Sequence, residues 1–440
     1  MGLRGAGRWG AVRAGALSFP AFRSYLAAQG ISLIGTWMQG AAQAWLVLQL
    51  TGSAVKLGTV SAVQSLPVLF FSLPAGTIAD HANRRKMLIL TQSALAACAA
   101  VLGVLTVLGW VRYWHVVVIA GIYGVFNTLD MPGRNAFLGD MVPREALASA
   151  IGLHSTIFNL ARIVGPGVAG LVVAAVGSGP AFLLNALSFV PVIGVLAGIR
   201  IAADRTRPPG GALGDLLTPS GMWRPVMDGL RYARATRPIR QGLLLLGIVS
   251  LFSMNFQVLT PVYASRTLGQ GASGYGLLMS SLGVGALVAA AGLASERSAE
   301  PPAWRRSAGV VLLGLGLAGL AVCRWYLPAL ALMALTGWGM VSLSVGTNAM
   351  VQLNSEERMR GRVMSLYTLV LVGVAPIGSM LAGAVADHAG VGTAWAMGGG
   401  VALAAFAWLR PWEIRAVTGR TELPAAGAAA GGQRQESLPG

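Results

Sequence analysis

Residues 76–86 read GTIADHANRRK and separate two long apolar runs, residues 54–79 and 87–110. Each run is longer than the roughly 20 residues that a helix needs to cross a bilayer. The stretch between them ends in three consecutive basic residues, which are costly to place in lipid. This segment therefore predicts two membrane-spanning helices joined by a short loop at the membrane surface.

The composition of the whole chain agrees with this local pattern. Of its 440 residues, 55% are hydrophobic and only 11% are charged, and the mean hydropathy is +0.66. A soluble domain usually carries about a quarter charged residues. The composition excludes a soluble enzyme core, a coiled coil and a disordered chain, and it predicts an all-α integral membrane protein.

Apolar runs of this length recur twelve times, and each is expected to be helical because backbone groups cannot stay unpaired in lipid. The sequence predicts two pseudo-symmetric bundles of six spans, residues 24–200 and 240–409. A basic cytoplasmic N-terminus (1–23) precedes them, a cytoplasmic loop (201–239) joins them, and a disordered cytoplasmic tail (410–440) follows. Spans one to twelve are predicted at 24–50, 54–79, 87–110, 114–141, 146–175, 180–200, 240–267, 273–295, 307–323, 326–352, 363–386 and 392–409.

Lys and Arg residues are distributed unevenly along this topology. Segments predicted to be cytoplasmic hold 26 of the 32, exterior loops hold four, and two lie inside spans. An excess of basic residues on the cytoplasmic side fixes the orientation of a membrane protein. The sequence thus predicts a multi-pass protein of the cell inner membrane with both termini in the cytoplasm, and the net charge of +17 needs no nucleic-acid partner.

The loop between the two bundles holds a predicted amphipathic helix, from Trp223 to Arg240. Val226, Leu230 and Ala233 recur at helical spacing, and basic residues occupy the other face. Such a helix is expected to lie along the inner membrane surface.

The stretch at 76–86 resembles the signature loop of the major facilitator superfamily, G-x-L-A-D-R-x-G-R-R/K. The resemblance implies that Gly76 allows close contact with a facing helix. It also implies that Asp80, Arg84 and Arg85 form a conformational latch with Asp140 at the foot of span four, holding the two halves together in the outward-facing state. The alternative is an ordinary basic loop whose charges only set the topology.

Two positions of this loop depart from the signature. His81 replaces the usual Arg, and Asn83 replaces the usual Gly. Asn tolerates a left-handed backbone better than most residues, so we expect the turn to survive at Asn83.

Small residues in span five have a spacing similar to the antiporter motif of the same superfamily, G-x8-G-x3-G-P-x2-G-G, with Ala at two of the Gly positions. The matching residues are Gly152, Gly165, Pro166 and Gly170. A smooth face with a Pro bend would let span five pack tightly against the other half and seal the cavity. The resemblance implies export, and generic small-residue packing is the alternative.

Two further stretches, DMPGR at 130–134 and NLARIVGP at 159–166, resemble the drug- and siderophore-exporting branch that includes the enterobactin exporter. This likeness covers most of residues 20–410. It implies a secondary active transporter that exports a small amphipathic molecule by proton antiport with rocker-switch alternating access. The alternatives are an importer or facilitator of the same fold, and a membrane sensor or scaffold that does not transport.

Four ionisable residues lie deep within predicted spans: Asp130 and Arg134 in span four, and His154 and Arg162 in span five. Ionisable side chains inside a bilayer are costly and mark functional sites, here a proton-coupling site. Asp130 and Arg134 are four residues apart, so they share a helix face and can pair. A structural ion pair and a hydrogen-bonded packing histidine are the alternatives.

Polar and aromatic side chains in the inner spans are candidates for contact with the substrate. In superfamily members, helices one, four, seven and ten line the cavity, and an interhelical hydrogen bond is the alternative role for each polar residue. The candidates are Gln39 and Gln43 in span one, Asn255 and Gln257 in span seven, Asn348 in span ten, and Tyr367, whose ring could stack on the substrate.

The sequence shows no motif of soluble-enzyme chemistry, such as a phosphate-binding Gly-rich loop. Cys98 and Cys323 both lie in apolar spans, without disulfide or metal-ligand spacing. We therefore expect a monomeric transporter with no catalytic residues, metal or cofactor, whose partners are a small-molecule substrate, protons and the lipid bilayer.

Overall fold

A computed structural model describes residues 15–81, 83–199, 219–294 and 303–421, and nearly all of these residues are helical, with no strand among them. A 3-10 turn, Ala16–Ser18, precedes the first helix, and a π-helical turn, Tyr263–Thr267, follows the ninth. The helices in chain order are α1 (Pro20–Thr51), α2 (Ala54–His81), α3 (Arg84–Val107), α4 (Tyr113–Met141), α5 (Arg144–Val176), α6 (Ser178–Gly198), α7 (Pro219–Ala235), α8 (Arg237–Ser253), α9 (Phe256–Val262), α10 (Ala272–Ala294), α11 (Ala303–Val322), α12 (Tyr326–Leu353), α13 (Glu357–Val372), α14 (Ala375–His388) and α15 (Val391–Thr421).

The predicted spans correspond closely to these helices. Helices α1 to α6 are spans one to six, α10 to α12 are spans eight to ten, and α15 contains span twelve, while spans seven and eleven are each formed by two helices. Within the described residues, eleven spans are long and apolar enough to cross a membrane. The remaining one, α1, is 32 residues long, but buried polar side chains such as Gln29, Gln39 and Gln43 lower its average hydropathy.

The same helix pairings occur in the first and second halves of the chain. Helix α4 packs on α2 and α6 packs on α3, whereas in the second half α12 packs on α10 and α15 packs on α11. Glycines on corresponding helices permit two of these contacts: a methyl group at Gly124 of α4 would overlap the carbonyl oxygen of Gln64, and one at Gly337 of α12 would overlap that of Leu282. Small residues of this kind let helices approach closely in lipid. The predicted class, two pseudo-symmetric six-helix bundles, is thereby confirmed.

Spans seven and eleven are interrupted, which the sequence analysis does not predict. Span seven breaks between α8 and α9, where the side-chain amide of Asn255 donates to the Leu251 carbonyl at 2.8 Å and competes with the backbone for it. Span eleven breaks at Gly373 and Val374, just before Pro376. Pro has no N–H and its ring crowds the preceding turn, which favours a break at this point, although Pro132, Pro166 and Pro191 lie inside continuous helices.

Helix α7 is the predicted amphipathic helix, but it ends at Ala235 and not at Arg240. A new helix begins at Arg237, with Pro238 in its first turn, a position that Pro favours. Helix α7 packs on α13, where Asp228 pairs with Arg362 at 3.0 Å. The preceding residues 200–218 lie outside the described part of the chain.

The last helix, α15, continues to Thr421, whereas the sequence predicts a disordered tail from residue 410. Glu413, Arg415 and Ala416 in this extension are good helix formers, which favours its helical continuation. The remaining tail, residues 422–440, and the N-terminal residues 1–14 lie outside the described residues.

Candidate transport pathway

A buried ion pair lies in α4, where Asp130 is fully buried and pairs with Arg134 one turn later. The other carboxylate oxygen, Oδ1, accepts hydrogen bonds from the Thr91 hydroxyl at 2.7 Å and from the Gln92 amide at 2.8 Å. Both donors belong to α3, which packs against α4. The structure thus brings the predicted pair together and gives the carboxylate two further partners from a neighbouring helix.

His154 is the titratable side chain of α5 that approaches this ion pair. It lies within electrostatic range of Arg134, and its Nε2 atom is buried without a hydrogen-bond partner. Two tyrosines, Tyr25 and Tyr123, also lie within electrostatic range of the pair, on α1 and α4. Three side chains that can carry a proton therefore interact electrostatically with the Asp130–Arg134 pair, and this arrangement can respond to a change in the charge of Asp130.

Arg162 lies outside this cluster, further along α5 than His154. Its side chain is half-buried, and among the described residues it has neither an ion pair nor a hydrogen bond. The structure therefore does not join Arg162 to Asp130 in this conformation.

Two of the residues predicted to form a latch, Arg84 and Asp140, pair at the end of the molecule where α3 begins. Arg84 donates to both carboxylate oxygens of Asp140, at 2.9 and 3.0 Å. Arg85 instead donates to the carbonyl oxygens of Leu196 and Ala197, at 2.6 and 2.5 Å, and so satisfies the last turn of α6. All these contacts stay within the first half.

Asn83, in the same loop, does not adopt the backbone conformation expected from the sequence. Asn83 is not left-handed, because its φ is −63°; it caps α3 by accepting a hydrogen bond from the Lys86 N–H at 3.0 Å. The expected turn is therefore replaced by a helix N-cap, a role in which Asn is strongly favoured. Gly76 and Asp80 lie in the last turns of α2, and their side-chain surroundings are outside the described part.

The opposite end of the molecule holds a seal between the two halves, built on Asp387 at the end of α14. Its carboxylate accepts from the Ser53 hydroxyl at 2.6 Å and from the backbone N–H groups of Ala54 and Val55, both at 2.9 Å. These donors begin α2, so a carboxylate of the second half caps a helix of the first. Arg266 pairs with Asp387 at 3.2 Å and also donates to the Gly52 carbonyl.

This seal is not predicted from the sequence, although one signal for it exists there. Asp387 is the one acidic residue in the loops predicted to be exterior, where Lys56, Arg112, Arg266 and Arg324 supply the basic residues. A lone acid among four basic residues is a candidate for pairing. Its partner in the other half could not be identified without the fold.

The small residues of α5 contact two different neighbours. A methyl group at Gly165 would lie 2.5 Å from the Trp37 Cβ of α1, within the first half. A methyl group at Gly170 would lie 2.8 Å from the Ala272 carbonyl oxygen, at the start of α10 in the second half. The Pro166 carbonyl also faces α10, and the space around Gly152 is open. Only part of the predicted gate face therefore contacts the other half.

Most of the predicted cavity residues already have hydrogen-bond partners in this conformation. Gln39 accepts from Asn185 at 2.5 Å, and Gln43 donates to Gln64 at 3.1 Å. In the second half, Tyr367 donates to the Ser344 carbonyl at 2.9 Å, Asn348 accepts from Gln352 at 2.5 Å, and Asn255 bonds to its own helix. Gln257 differs: it is exposed, has no partner among the described residues, and lies near Gly40 of α1.

The fold defined by these contacts is that of a major facilitator superfamily transporter. A crystal structure of a peptide transporter of the POT family superposes with a TM-score of 0.72 at 13% identity, covering 90% of this chain and 94% of that one. A bacterial homologue of the iron transporter ferroportin, in an inward-facing state, gives 0.67 at 16% identity and covers 89% and 98%. At such low identity, these similarities establish the fold alone.

Sequence comparison identifies the family: the chain belongs to the major facilitator family of transmembrane secretion effectors, whose model matches residues 13–426. This confirms the predicted superfamily and a membrane transporter rather than an enzyme. The multidrug efflux pump Tap of Mycobacterium tuberculosis is 29% identical over 79% of this chain and 82% of its own. The macrolide efflux protein A of Streptococcus pyogenes is 26% identical over 84% and 90%, and the staphyloferrin A transporter of Staphylococcus aureus is 25% identical over 81% and 87%.

Proposed function

We propose that this chain is a monomeric carrier in the cell inner membrane that exports a small amphipathic molecule from the cytoplasm in exchange for protons. The relatives named as efflux proteins support export as the direction of transport, because they are similar to this chain over most of its length. The observation that supports proton coupling is the carboxylate of Asp130, fully buried in the middle of a span beside Arg134.

The charge distribution supports an orientation for this carrier. With both termini in the cytoplasm, the Arg84 end of the molecule is cytoplasmic and the Asp387 end is exterior. The polar contacts of Asp387 then close the exterior side, and the conformation described here faces inward. Rocker-switch alternating access would break these contacts and bring the latch residues against the second half.

Coupling would follow from a change in the charge of Asp130. A proton on Asp130 removes the negative charge that holds Arg134, leaving a buried cation without a counter-charge. Arg134, which is 9% exposed and within electrostatic range of His154, is then free to interact elsewhere, and the substrate competes with the proton for this site. A carrier that binds either proton or substrate, but not both at once, couples their movements in opposite directions.

The test is transport into inverted membrane vesicles with an imposed pH gradient, using Asp130→Asn and a panel of amphipathic compounds. We expect Asp130→Asn to abolish accumulation driven by the gradient and to leave substrate exchange without a gradient largely intact. Glu145→Gln, which removes an exposed acid from the first turn of α5, serves as the matched control and should retain gradient-driven accumulation.

Expression and insertion must be matched among the variants, because Asp130→Asn leaves Arg134 buried without an ionised partner. Accumulation by Asp130→Asn at the wild-type rate would mean that Asp130 is structural and that protons couple elsewhere. Asp130→Glu, which keeps the charge, should retain partial coupling.

A further inference from the structure

Arg162 occupies a position that is unusual for a cation. It is close to the middle of α5, about 27 Å from the Arg144 end and 21 Å from the Val176 end at 1.5 Å per residue. It has no counter-charge or hydrogen-bond partner among the described residues. A cation in the middle of a bilayer is unfavourable and is retained where it has a function.

The contacts of α5 fix the direction in which Arg162 points. Gly165 faces α1, and Ile163 faces α10, where the Ser280 hydroxyl donates to its carbonyl at 2.7 Å. Leu160 and Leu171, exposed by 48% and 67%, lie on the side of the helix that faces lipid. At 100° per residue, Arg162 lies roughly opposite these two leucines and between the sectors that contact α1 and α10. Its side chain therefore faces the space between the two halves.

The surroundings of Arg162 combine polar and aromatic groups. Asn159 and Ser155 lie on the same strip of α5, one and two turns respectively towards the cytoplasmic end, and Ser155 is exposed. Phe158, on the adjacent strip, contacts Trp37 of α1 edge to face, with ring centroids 5.8 Å apart. An apolar aromatic surface thus adjoins a cation and two hydrogen-bonding side chains.

No carboxylate of the described residues neutralises this cation. Asp130 is the acid placed deep within a span, but it is fully buried and already paired with Arg134. Asp140, Glu357 and Asp387 lie near helix ends. The space between the halves therefore carries a net positive charge, which attracts anions and repels organic cations.

From these observations we propose that Arg162 binds a carboxylate of the transported molecule, and that the carrier selects amphipathic anions over cations. The inference rests on the proposed function and assigns the charge of its substrate. A planar guanidinium with several N–H donors matches a carboxylate through two parallel hydrogen bonds. The Trp37–Phe158 pair would contact the apolar part of the same molecule.

The test measures binding of two dyes that share a xanthene ring but differ in charge, carboxyfluorescein (anionic) and rhodamine 123 (cationic), to the purified full-length protein in detergent. We expect the wild type to bind carboxyfluorescein at least tenfold more tightly. Arg162→Gln should weaken carboxyfluorescein binding by roughly tenfold to a hundredfold, the usual range for a charge-assisted contact, and leave rhodamine 123 binding unchanged or tighter. Arg162→Lys should retain an intermediate preference.

Arg324→Gln is the matched control, because it removes one positive charge from an exposed exterior loop and should not change either affinity. Thermal unfolding separates a binding role from a structural one. Since Arg162 has no partner to lose, Arg162→Gln should unfold at the same temperature as the wild type or higher.

Two results would overturn the proposal: a wild type without preference for carboxyfluorescein, or an Arg162→Gln variant that keeps it. A lowered unfolding temperature of Arg162→Gln together with weaker binding of both dyes would also overturn it, in favour of a structural role. Because binding needs neither a pH gradient nor a direction, anion preference without gradient-driven export would leave this inference standing and reject proton antiport.

Discussion

The two ends of the molecule both hold an Arg–Asp pair, but the pairs connect different parts of the chain. At the end that we propose to be exterior, Asp387 of the second half caps α2 of the first, so this contact exists only while the halves are together. At the end proposed to be cytoplasmic, Arg84 and Asp140 both belong to the first half. The exterior contact must therefore break when the halves separate there, whereas the cytoplasmic pair can persist. Chemically similar pairs thus have different consequences, depending on which halves they join.

The largest effect is expected from Gly170→Leu, which blocks the approach of α5 and α10 near the exterior end. Even the first carbon of the new side chain would lie 2.8 Å from the Ala272 carbonyl oxygen and 3.0 Å from the Ser273 Cα. Overpacking of about 3 kcal/mol corresponds to more than a hundredfold loss of the closed state. We expect transport to be abolished and an introduced cysteine, Gln257→Cys, to react with an impermeant thiol reagent from outside.

The background for this labelling is Cys98→Ser with Cys323→Ser, which removes both native thiols. Gly152→Leu is the matched control on the same helix, because the space around Gly152 is open in this conformation. Exterior labelling that is equal in Gly170→Leu and Gly152→Leu would show that α5 and α10 do not form the exterior closure.

The next largest effect is expected from Asp387→Asn, which removes the charge that caps α2 and pairs with Arg266. Charge-assisted hydrogen bonds contribute about 1.5–3 kcal/mol to the stability of the closed end. The rate at which the impermeant reagent labels Gln257→Cys from outside should therefore rise roughly tenfold to a hundredfold. Unchanged labelling at equal expression would mean that the apolar contacts between α2 and α14 close this end alone.

A smaller effect is expected from Arg266→Gln, since this side chain is 43% exposed and an exposed ion pair contributes up to about 1 kcal/mol. Exterior labelling should rise no more than roughly fivefold at low ionic strength, and high salt should remove the difference from the wild type. A response as large as that of Asp387→Asn would show that Arg266 is the main element of the seal.

The smallest effect on exterior labelling is expected from Asp140→Asn, because its pair with Arg84 stays within the first half and both side chains are about a quarter exposed. The labelling rate should change by less than about twofold, because a pair within one half contributes to the free energies of both conformations and does not shift the balance between them. A rise comparable to that of Asp387→Asn would mean that the two ends are directly coupled through the first bundle.

Features governed by local sequence could be predicted well. The spans follow from apolar length, and the Asp130–Arg134 pair follows from the spacing of four residues on one helix. The seal could not be predicted, because Asp387 and its partners at 53–55 are more than 330 residues apart in the chain. Gly165 illustrates the same limit: its place in a motif indicates close packing, but only the rotation of α5 shows that α1 is the neighbour.

The interruption of span eleven at Gly373 and Val374 divides that span into two segments with separate attachments. Helix α13 is attached to the amphipathic helix α7 through Arg362 and Asp228, while α14 carries Asp387 and its contacts with the first half. Gly373 and Val374 keep right-handed backbone dihedrals but interrupt the regular helix, so we expect α13 and α14 to bend relative to each other at this turn. We therefore expect the carrier to pass through an occluded intermediate, in which the cytoplasmic end has closed before the exterior end opens.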